Sequence, residues 1–350
     1  MNKIRVLIVD DSALVRNILS KGLAKDPEIE VIGTAADVYI ARNIIVNKNP
    51  DVITLDVEMP RMDGVEFLKK LMPQYPVPVV MVSAMTGPKA AVTIEAMESG
   101  AIDYVLKPSS SFGNKLYEMI DELLIKLKVA AKTDVSHWKK ANFKGSDVQS
   151  KQKILHGGTD KIIAIGASTG GTVALRKIIE QFPANMPGTI IVQHMPGGFT
   201  KMFAEKLNSV SKVSVKEAET GDRILRGTVL VAPGGETHLE VVRTGGQYRV
   251  KCIAGEKVNG HKPSVGVLFN SVAKHVGSNA VGVILTGMGR DGAFELKNMR
   301  DTGARTIAQD EKTSVVFGMP MEAWKCGGAE ELVPLQNVTD RLISILEGMK

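Results

Sequence analysis

The chain has few cysteines and no long apolar run. The first feature argues against a disulfide-rich protein, and the second argues against a membrane-spanning one. Its 350 residues include only Cys252 and Cys326, which cannot build a disulfide framework and fit a reducing cytoplasm. The first apolar run, Val6 to Val9, stops at two aspartates and is too short for the core of a signal peptide. No later run is long enough to cross a bilayer. We therefore expect a cytoplasmic protein that is not inserted in a membrane.

The sequence also lacks a zinc-ligand pattern and a nucleic-acid-binding motif. No set of His, Cys or carboxylate residues in the second half has zinc-site spacing, so we expect no metal and no cofactor there. The net charge is +6, and residues 128–159 alone carry seven Lys or Arg against two Asp or Glu. We interpret this segment as a solvated linker that binds no nucleic acid, because no helix-turn-helix or similar motif surrounds it.

Short apolar runs alternate with helical periodicity before the linker. The runs are rich in Val and Ile and nearly continuous, which is typical of strands buried on both faces of a parallel sheet. They are Ile4–Val9, Ile29–Gly33, Val52–Val57, Val77–Ser83 and Ile102–Leu106. Five such β-α units predict a small doubly wound, flavodoxin-like domain over residues 1–127.

After the linker the same alternation predicts a second, larger α/β domain over residues 160–350. Its strand candidates are Ile162–Ile165, Thr189–Gln193, Val229–Ala232, Leu239–Val242, Tyr248–Ile253, Val281–Thr286 and Arg305–Ala308. The predicted fold class is therefore α/β, with two doubly wound parallel-sheet domains joined by a linker, as the length of the chain also favours.

Polar side chains stand at the carboxyl ends of the predicted strands of the first domain. They are Asp10, Asp11, Asp56, Ser83 and Lys107. Ligands of doubly wound sheets bind at this edge. A single aspartate there is more often a loop former, but the convergence of three carboxylates favours a hard cation such as Mg²⁺. Asp56 is the candidate nucleophile for phosphoryl transfer, and Lys107 would neutralise phosphoryl charge.

The segments around these residues resemble the motifs of response-regulator receiver domains. They read Val9-Asp10-Asp11-Ser12, Leu55-Asp56-Val57-Glu58-Met59-Pro60, Val82-Ser83-Ala84 and Lys107-Pro108. The resemblance implies that a histidine kinase phosphorylates Asp56, with Mg²⁺ held by Asp11, Asp56 and Glu58 and supported by Asp10. It also implies a switch in which Ser83 moves toward the phosphate and Tyr104 turns inward, although a half-buried strand tyrosine is the alternative for Tyr104.

A glycine-rich turn follows the first strand of the second domain. Its sequence is Gly166-Ala167-Ser168-Thr169-Gly170-Gly171, and a helix follows it. A G-x-S-x-G turn lifts a serine hydroxyl above the sheet edge near a helix N-terminus, which favours a developing oxyanion. A dinucleotide-binding turn fits this segment about equally well, although Ser168 stands where that turn needs its middle glycine.

Two residues after other strand ends favour the hydrolase. His194 follows the strand Thr189–Gln193, and Asp291 lies in the loop after Val281–Thr286. A serine nucleophile needs a histidine to take its proton and a carboxylate to orient that histidine. The chain order Ser, His, Asp differs from that of α/β-hydrolases, so we expect a different sheet topology.

The longest motifs of this half resemble the CheB-type chemotaxis methylesterases. They include Val192-Gln193-His194-Met195-Pro196, Leu285-Thr286-Gly287-Met288-Gly289-Arg290-Asp291-Gly292 and Val316-Phe317-Gly318-Met319-Pro320. The resemblance implies that Ser168 is the nucleophile, His194 the base and Asp291 its orienting partner. It further implies that backbone N–H groups of Met288 and Thr169 form the oxyanion hole.

The family also implies a substrate and a form of control. The expected reactions are hydrolysis of glutamyl methyl esters and deamidation of specific glutamines on the cytoplasmic domains of chemoreceptors. Phosphorylation is expected to activate the enzyme, and we expect the unphosphorylated receiver to restrain it. Two other classes stay open: a receiver joined to a nucleotide-binding or redox module, and a phosphorylation-dependent adaptor that binds DNA.

Some residues depart from the family pattern or stand alone. Gly266 lies where the family usually has aspartate, and the segment Pro233–His238 is one residue longer than usual. His238, His261 and His275 are isolated, so we interpret them as structural.

Overall fold

Contacts between Cα atoms divide the chain into two units, Met1–Ser146 and Asp147–Lys350. The computed structural model describes residues 3–84, 87–108, 114–140 and 160–349, so residues 141–159 of the expected linker lie outside them. Regular structure continues past residue 127, because the fifth helix ends at Ala130 and a 3-10 turn covers Ser136–Lys140. The domain boundaries stay predictions.

The first unit contains the five-stranded parallel sheet that the apolar runs predicted. Its strands are β1 (Ile4–Val9), β2 (Ile29–Ala35), β3 (Val52–Asp56), β4 (Val79–Ala84) and β5 (Asp103–Lys107). Its helices are α1 (Ala13–Leu23), α2 (Val38–Lys48), α3 (Gly64–Gln74), α4 (Gly87–Glu98) and α5 (Asn114–Ala130). The strand order β2-β1-β3-β4-β5 is the flavodoxin-like order. Ser12 caps α1, since its side chain accepts a hydrogen bond from the Val15 N–H.

The second unit contains a seven-stranded parallel sheet of order β14-β13-β12-β6-β7-β9-β8. The strands are β6 (Ile162–Ala167), β7 (Gly188–Gln193), β8 (Ser214–Glu217), β9 (Thr228–Val231), β12 (Ala280–Ile284), β13 (Arg305–Gln309) and β14 (Glu331–Val333). The helices are α6 (Gly171–Ile179), α7 (Phe199–Val210), α8 (Val265–His275), α9 (Ala293–Asp301), α10 (Met319–Lys325) and α11 (Val338–Gly348).

Two features of the second unit differ from the sequence prediction. β10 (Thr237–Thr244) and β11 (Gln247–Ala254) lie outside the large sheet and pair with each other as an antiparallel ribbon. One face of this ribbon joins the core through Leu239 and Val250, while the other is partly exposed, so its apolar residues alternate. The edge strands β8 and β14 were missed because each is short and neither forms a continuous buried run.

The order of the large sheet positions the candidate site. β6 lies at its centre, with β7 on one side and β12 on the other, and all three run parallel. The chain leaves β6 toward one edge and later returns to its other side, so the carboxyl end of β6 is a topological switch point. Within the part of the chain that the structure describes, no helix has both the length and the apolar character needed to cross a membrane.

Candidate functional site

The Ser168 turn is held from both neighbouring strand ends. The Ser168 N–H donates to the Thr286 carbonyl at 3.0 Å, and its carbonyl accepts from the Gly171 N–H at 2.7 Å, where α6 begins. The Gln193 side chain donates to the same carbonyl at 3.0 Å. A Cβ added to Gly287 would come within 2.8 Å of the Ser168 Cβ, so only glycine allows this close approach. The turn is thus fixed over the centre of the sheet.

His194 follows β7 next to this turn. Its N–H donates to the Ala167 carbonyl at 3.1 Å, and the paired register of Ala167 with Gln193 brings Ser168 and His194 to neighbouring strand ends. The His194 Nε2 lies 2.8 Å from the Asp291 Oδ2. The His194 Nδ1 is buried and makes no hydrogen bond with any of the described residues.

Asp291 is 1% exposed and accepts hydrogen bonds from five donors. Its Oδ2 accepts from His194 and, at 2.7 Å, from the Val265 N–H. Its Oδ1 accepts from the Ser264 Oγ at 2.7 Å, from the Asn259 Nδ2 at 3.1 Å and from the Gly266 N–H at 3.3 Å. Burial alone would raise the pKa of Asp291, but the hydrogen bond and positive charge of His194, with the hydrogen bonds from Ser264 and Asn259, lower it to about 2.

An ionised Asp291 sets the tautomer of its partner. A carboxylate only accepts hydrogen bonds, so the His194 Nε2 carries the proton and donates it. The His194 Nδ1 then has the free lone pair. This nitrogen can accept a proton, which is what a general base at this position must do.

The backbone N–H groups predicted to form the oxyanion hole belong to Met288 and Thr169. The Met288 N–H, in the loop after β12, donates to no acceptor among the residues that the structure describes. Thr169 follows Ser168 directly, and its carbonyl accepts from the Thr286 Oγ1 at 2.9 Å, which ties the two loops together. The roles of the Met288 and Thr169 N–H groups in an oxyanion hole stay predictions.

The space left by Gly266 is filled by another carboxyl group. A Cβ added to Gly266 would lie 2.9 Å from the Glu295 Cδ, 3.0 Å from its Oε2 and 3.2 Å from the Asp291 Oδ1. Burial and the neighbouring Asp291 charge raise the pKa of Glu295, against backbone N–H groups that lower it. The Glu295 Oε2 is buried without a hydrogen-bond partner among the described residues. A side chain at position 266 would therefore require the Glu295 carboxyl group to move.

Replacing Gly266 by aspartate should destabilise the catalytic unit by about 1–3 kcal/mol through overpacking, and should reduce activity. The new carboxyl would meet two others, and like charges repel in this partly buried place. Adding Glu295→Ala to Gly266→Asp should restore most of the lost stability and activity, because it removes both the clash and one negative charge. A double-mutant cycle on the urea unfolding of both single variants and the double variant measures this coupling. Strictly additive effects would contradict it.

The first unit brings three carboxylates to one edge of its sheet. Oxygen atoms of Asp10, Asp11 and Asp56 all lie within 4.8 Å of one another. The Lys107 Nζ lies 2.6 Å from the Asp56 Oδ2 and 2.7 Å from the Asp10 Oδ2. Burial and the Asp10 charge raise the pKa of Asp56 to about 6, although Lys107 opposes this. Oxygen donors with excess negative charge fit Mg²⁺.

The other predicted residues of this unit are Glu58, Ser83 and Tyr104. Glu58 is exposed and not one of the three clustered carboxylates, although its N–H donates to the Asp56 Oδ1 at 3.3 Å, so its role as a metal ligand stays a prediction. Ser83 is fully buried and accepts a hydrogen bond from the Thr93 Oγ1 at 3.0 Å. Tyr104 is 7% exposed and not half-buried, and its carbonyl accepts from the Lys126 Nζ.

Sequence reasoning missed two contributors to the second site. His261, interpreted as structural, stacks on His194, and Asn259 of the same turn reaches Asp291. The dipeptide Asn259-Gly260 between two extended segments is a tight-turn signal that could have directed attention there. His238 lies inside β10, where its Nε2 binds the Glu256 carbonyl and its Nδ1 accepts the Ser264 N–H, which supports a structural role.

Comparison with known proteins gives matches to both halves of the chain. A family model described as CheB methylesterase matches residues 163–342, and one described as response regulator receiver domain matches residues 6–121. A relative from Syntrophotalea carbinolica, named protein-glutamate methylesterase/protein-glutamine glutaminase, is 58% identical over 98% of this chain and 98% of its own. One of the same name from Sulfurimonas denitrificans is 55% identical over 99% of each.

A solved structure also resembles the second unit. The crystal structure of the Thermotoga maritima CheB methylesterase catalytic domain is 38% identical and has a TM-score of 0.52. The match covers 54% of this chain and 100% of that one.

Proposed function

Because this chain belongs to the CheB methylesterase family and carries a receiver domain before its catalytic part, we propose that it is a phosphorylation-activated protein-glutamate methylesterase and protein-glutamine deamidase. The names of its relatives support both activities. The substrates are methylated glutamates and specific glutamines on the cytoplasmic domains of chemoreceptors, and the reaction serves adaptation in chemotaxis. The observation that carries the proposal is the His194–Asp291 hydrogen bond beside the Ser168 turn, at the centre of the sheet.

The proposed mechanism begins with proton transfer from Ser168. Its Oγ attacks the side-chain carbonyl carbon of the glutamyl ester while the His194 Nδ1 takes the hydroxyl proton. Asp291 holds the ring through Nε2 and stabilises the imidazolium that forms. The N–H groups of Met288 and Thr169 bind the oxyanion, and one such donor contributes about 2.7–4 kcal/mol.

Collapse of the tetrahedral intermediate releases methanol and leaves a glutamyl-enzyme ester on Ser168. His194 returns its proton to the leaving methoxide and then takes a proton from water, which attacks the acyl carbon. The products are a glutamate carboxylate and free Ser168. With a glutamine substrate the leaving group is ammonia, and the remaining steps are the same.

Phosphorylation acts through the first unit. The Asp56 carboxylate attacks the phosphoryl group of a phosphohistidine on a kinase, and the histidine leaves. The clustered carboxylates of Asp10, Asp11 and Asp56, with Glu58 as a further predicted ligand, would hold Mg²⁺, which would neutralise phosphoryl charge when bound. Lys107 contributes a second positive charge at the same edge. The phosphorylated receiver then releases the restraint on the catalytic domain.

Methanol release from methylated receptor membranes tests the proposal. The full chain should release methanol, and a small-molecule phosphodonor with Mg²⁺ should raise the rate several-fold. Asp56→Asn should keep the basal rate but lose the increase, because an amide cannot form the acyl phosphate. Asp121→Asn, an exposed position on α5, is the matched control and should respond like the wild type. An Asp56→Asn enzyme that still responds to the phosphodonor would contradict the assignment of Asp56.

A further inference from the structure

The segment Val258–His261 forms a tight turn with fixed geometry. The Val258 N–H donates to the His261 carbonyl and the His261 N–H donates to the Val258 carbonyl, both at 3.0 Å. The two central residues have positive φ angles, 51° at Asn259 and 83° at Gly260. This is the pattern of a type I′ turn, for which Asn-Gly is the preferred sequence. The ends of such a turn have little freedom to move relative to each other.

The Asn259 and His261 side chains of this turn contact residues of the proposed triad. The Asn259 Nδ2 donates to the Asp291 Oδ1 at 3.1 Å. The His261 ring lies on the His194 ring with centroids 3.7 Å apart and planes 9° from parallel. The histidine that acts as the base is therefore held at its edge by Asp291 and covered on one face by His261.

We propose that His261 is a positioning residue for His194, an inference that rests on the proposed function. The hydrogen bond from Nε2 to Asp291 fixes one atom of the His194 ring but leaves the ring free to tilt about that contact. A second ring stacked on its face removes this tilt. The Nδ1 lone pair, which lies in the ring plane, is thus held in one direction.

The stacked His261 ring also interacts with the positive charge that forms on His194 during the reaction. When His194 takes the Ser168 proton, it becomes an imidazolium against the face of the His261 ring. An aromatic face attracts a cation that lies on it. Because this charge is absent in the ground state, the attraction accelerates the chemical step and leaves substrate binding unchanged.

His261→Ala in the full chain should lower kcat about 10- to 100-fold, the size expected for a misplaced catalytic group, with KM changed less than about twofold. His261→Phe keeps a flat ring at this position and should recover most of the loss. His275→Ala, on the last turn of α8, is the matched control and should behave like the wild type. Methanol release from methylated receptor membranes measures both constants.

A spectroscopic readout separates positioning from a general structural defect. In protein labelled with ¹⁵N-histidine, the nitrogen shifts of His194 should report the Nε2–H tautomer in the wild type and in His261→Phe. In His261→Ala they should report mixed tautomers or broadened signals. Unchanged kcat and unchanged shifts in His261→Ala would overturn the inference, and so would a His261→Phe enzyme as inactive as His261→Ala.

The turn itself offers a matched pair of variants. A side chain at Gly260 would meet no atom within 4 Å, so substitutions there differ only in how well they accept a positive φ. Gly260→Asn should keep the His194 tautomer and kcat, and Gly260→Val should disturb both. Equal behaviour of the two variants would overturn the inference. Failure of the proposed function is distinguishable, because the wild type would then release no methanol, or release would persist in Ser168→Ala, whatever the state of His261.

Discussion

Replacing Ser168 by alanine should remove methanol release from methylated receptor membranes, with kcat lowered by roughly 10⁴-fold or more. In the proposed mechanism the Ser168 hydroxyl forms the acyl-enzyme, so its removal should stop the reaction. Alanine is smaller than serine and fits the same backbone, so the hydrogen bonds of the turn to Thr286 and Gly171 should persist. The loss should therefore be chemical, with binding of the receptor retained.

The control for this experiment is Ser209→Ala. Ser209 is exposed on α7 and its hydroxyl donates to the Lys206 carbonyl, so its loss should leave the rate unchanged. The comparison should be made with and without phosphodonor, since basal release is slower. Release that persists in Ser168→Ala would overturn the hydrolase mechanism. It would then favour the nucleotide-binding class, which tight NAD(P) binding would test.

Replacing Asp291 by asparagine should lower kcat by about 10⁴-fold while changing KM little. The five donors around Asp291 require an acceptor at every position. An amide must turn its NH₂ toward some of these donors. If it faces His194, the ring takes the opposite tautomer and Nδ1 loses its lone pair.

The same variant should show a pH-dependent loss of stability. The pKa of Asp291 is about 2 in the folded protein against an ordinary value of 3.8. Its ionised form therefore contributes stability that is present above pH 4 and is lost as the pH falls through about 2. At pH 7 this contribution is about 2 kcal/mol. Asp291→Asn should remove it, and the difference from wild type in urea unfolding should shrink toward pH 3.

Asp301→Asn is the matched control for this variant. Asp301 ends α9, the helix that follows the Asp291 loop, and is exposed, where its carboxylate pairs with Lys297. Such exposed pairs stabilise proteins little, so neither kcat nor the pH dependence of unfolding should change. An Asp291→Asn enzyme with nearly normal kcat would show that His194 does not depend on Asp291.

Much of the fold could be predicted because buried parallel strands leave a local signal. β1 was predicted with the bounds that the structure has, and β12 within two residues. The helix predicted after the Ser168 turn begins at Gly171, the last glycine of that turn. The prediction failed where burial is one-sided, as in the β10–β11 ribbon. A strand whose apolar and polar residues alternate has the same sequence pattern whether it joins the large sheet or pairs outside it.

The amino-acid sequence by itself determined most of the buried parallel strands, the helices that follow them and the residue types at the strand ends. Those signals arise within short segments, through periodicity and turn chemistry. Only the tertiary structure decided that Nε2 of His194 meets Asp291, that His261 covers the same ring and that Glu295 fills the space beside Gly266. These contacts join residues dozens of positions apart. Their geometry depends on how strands, ribbon and helices pack together, which no local pattern encodes.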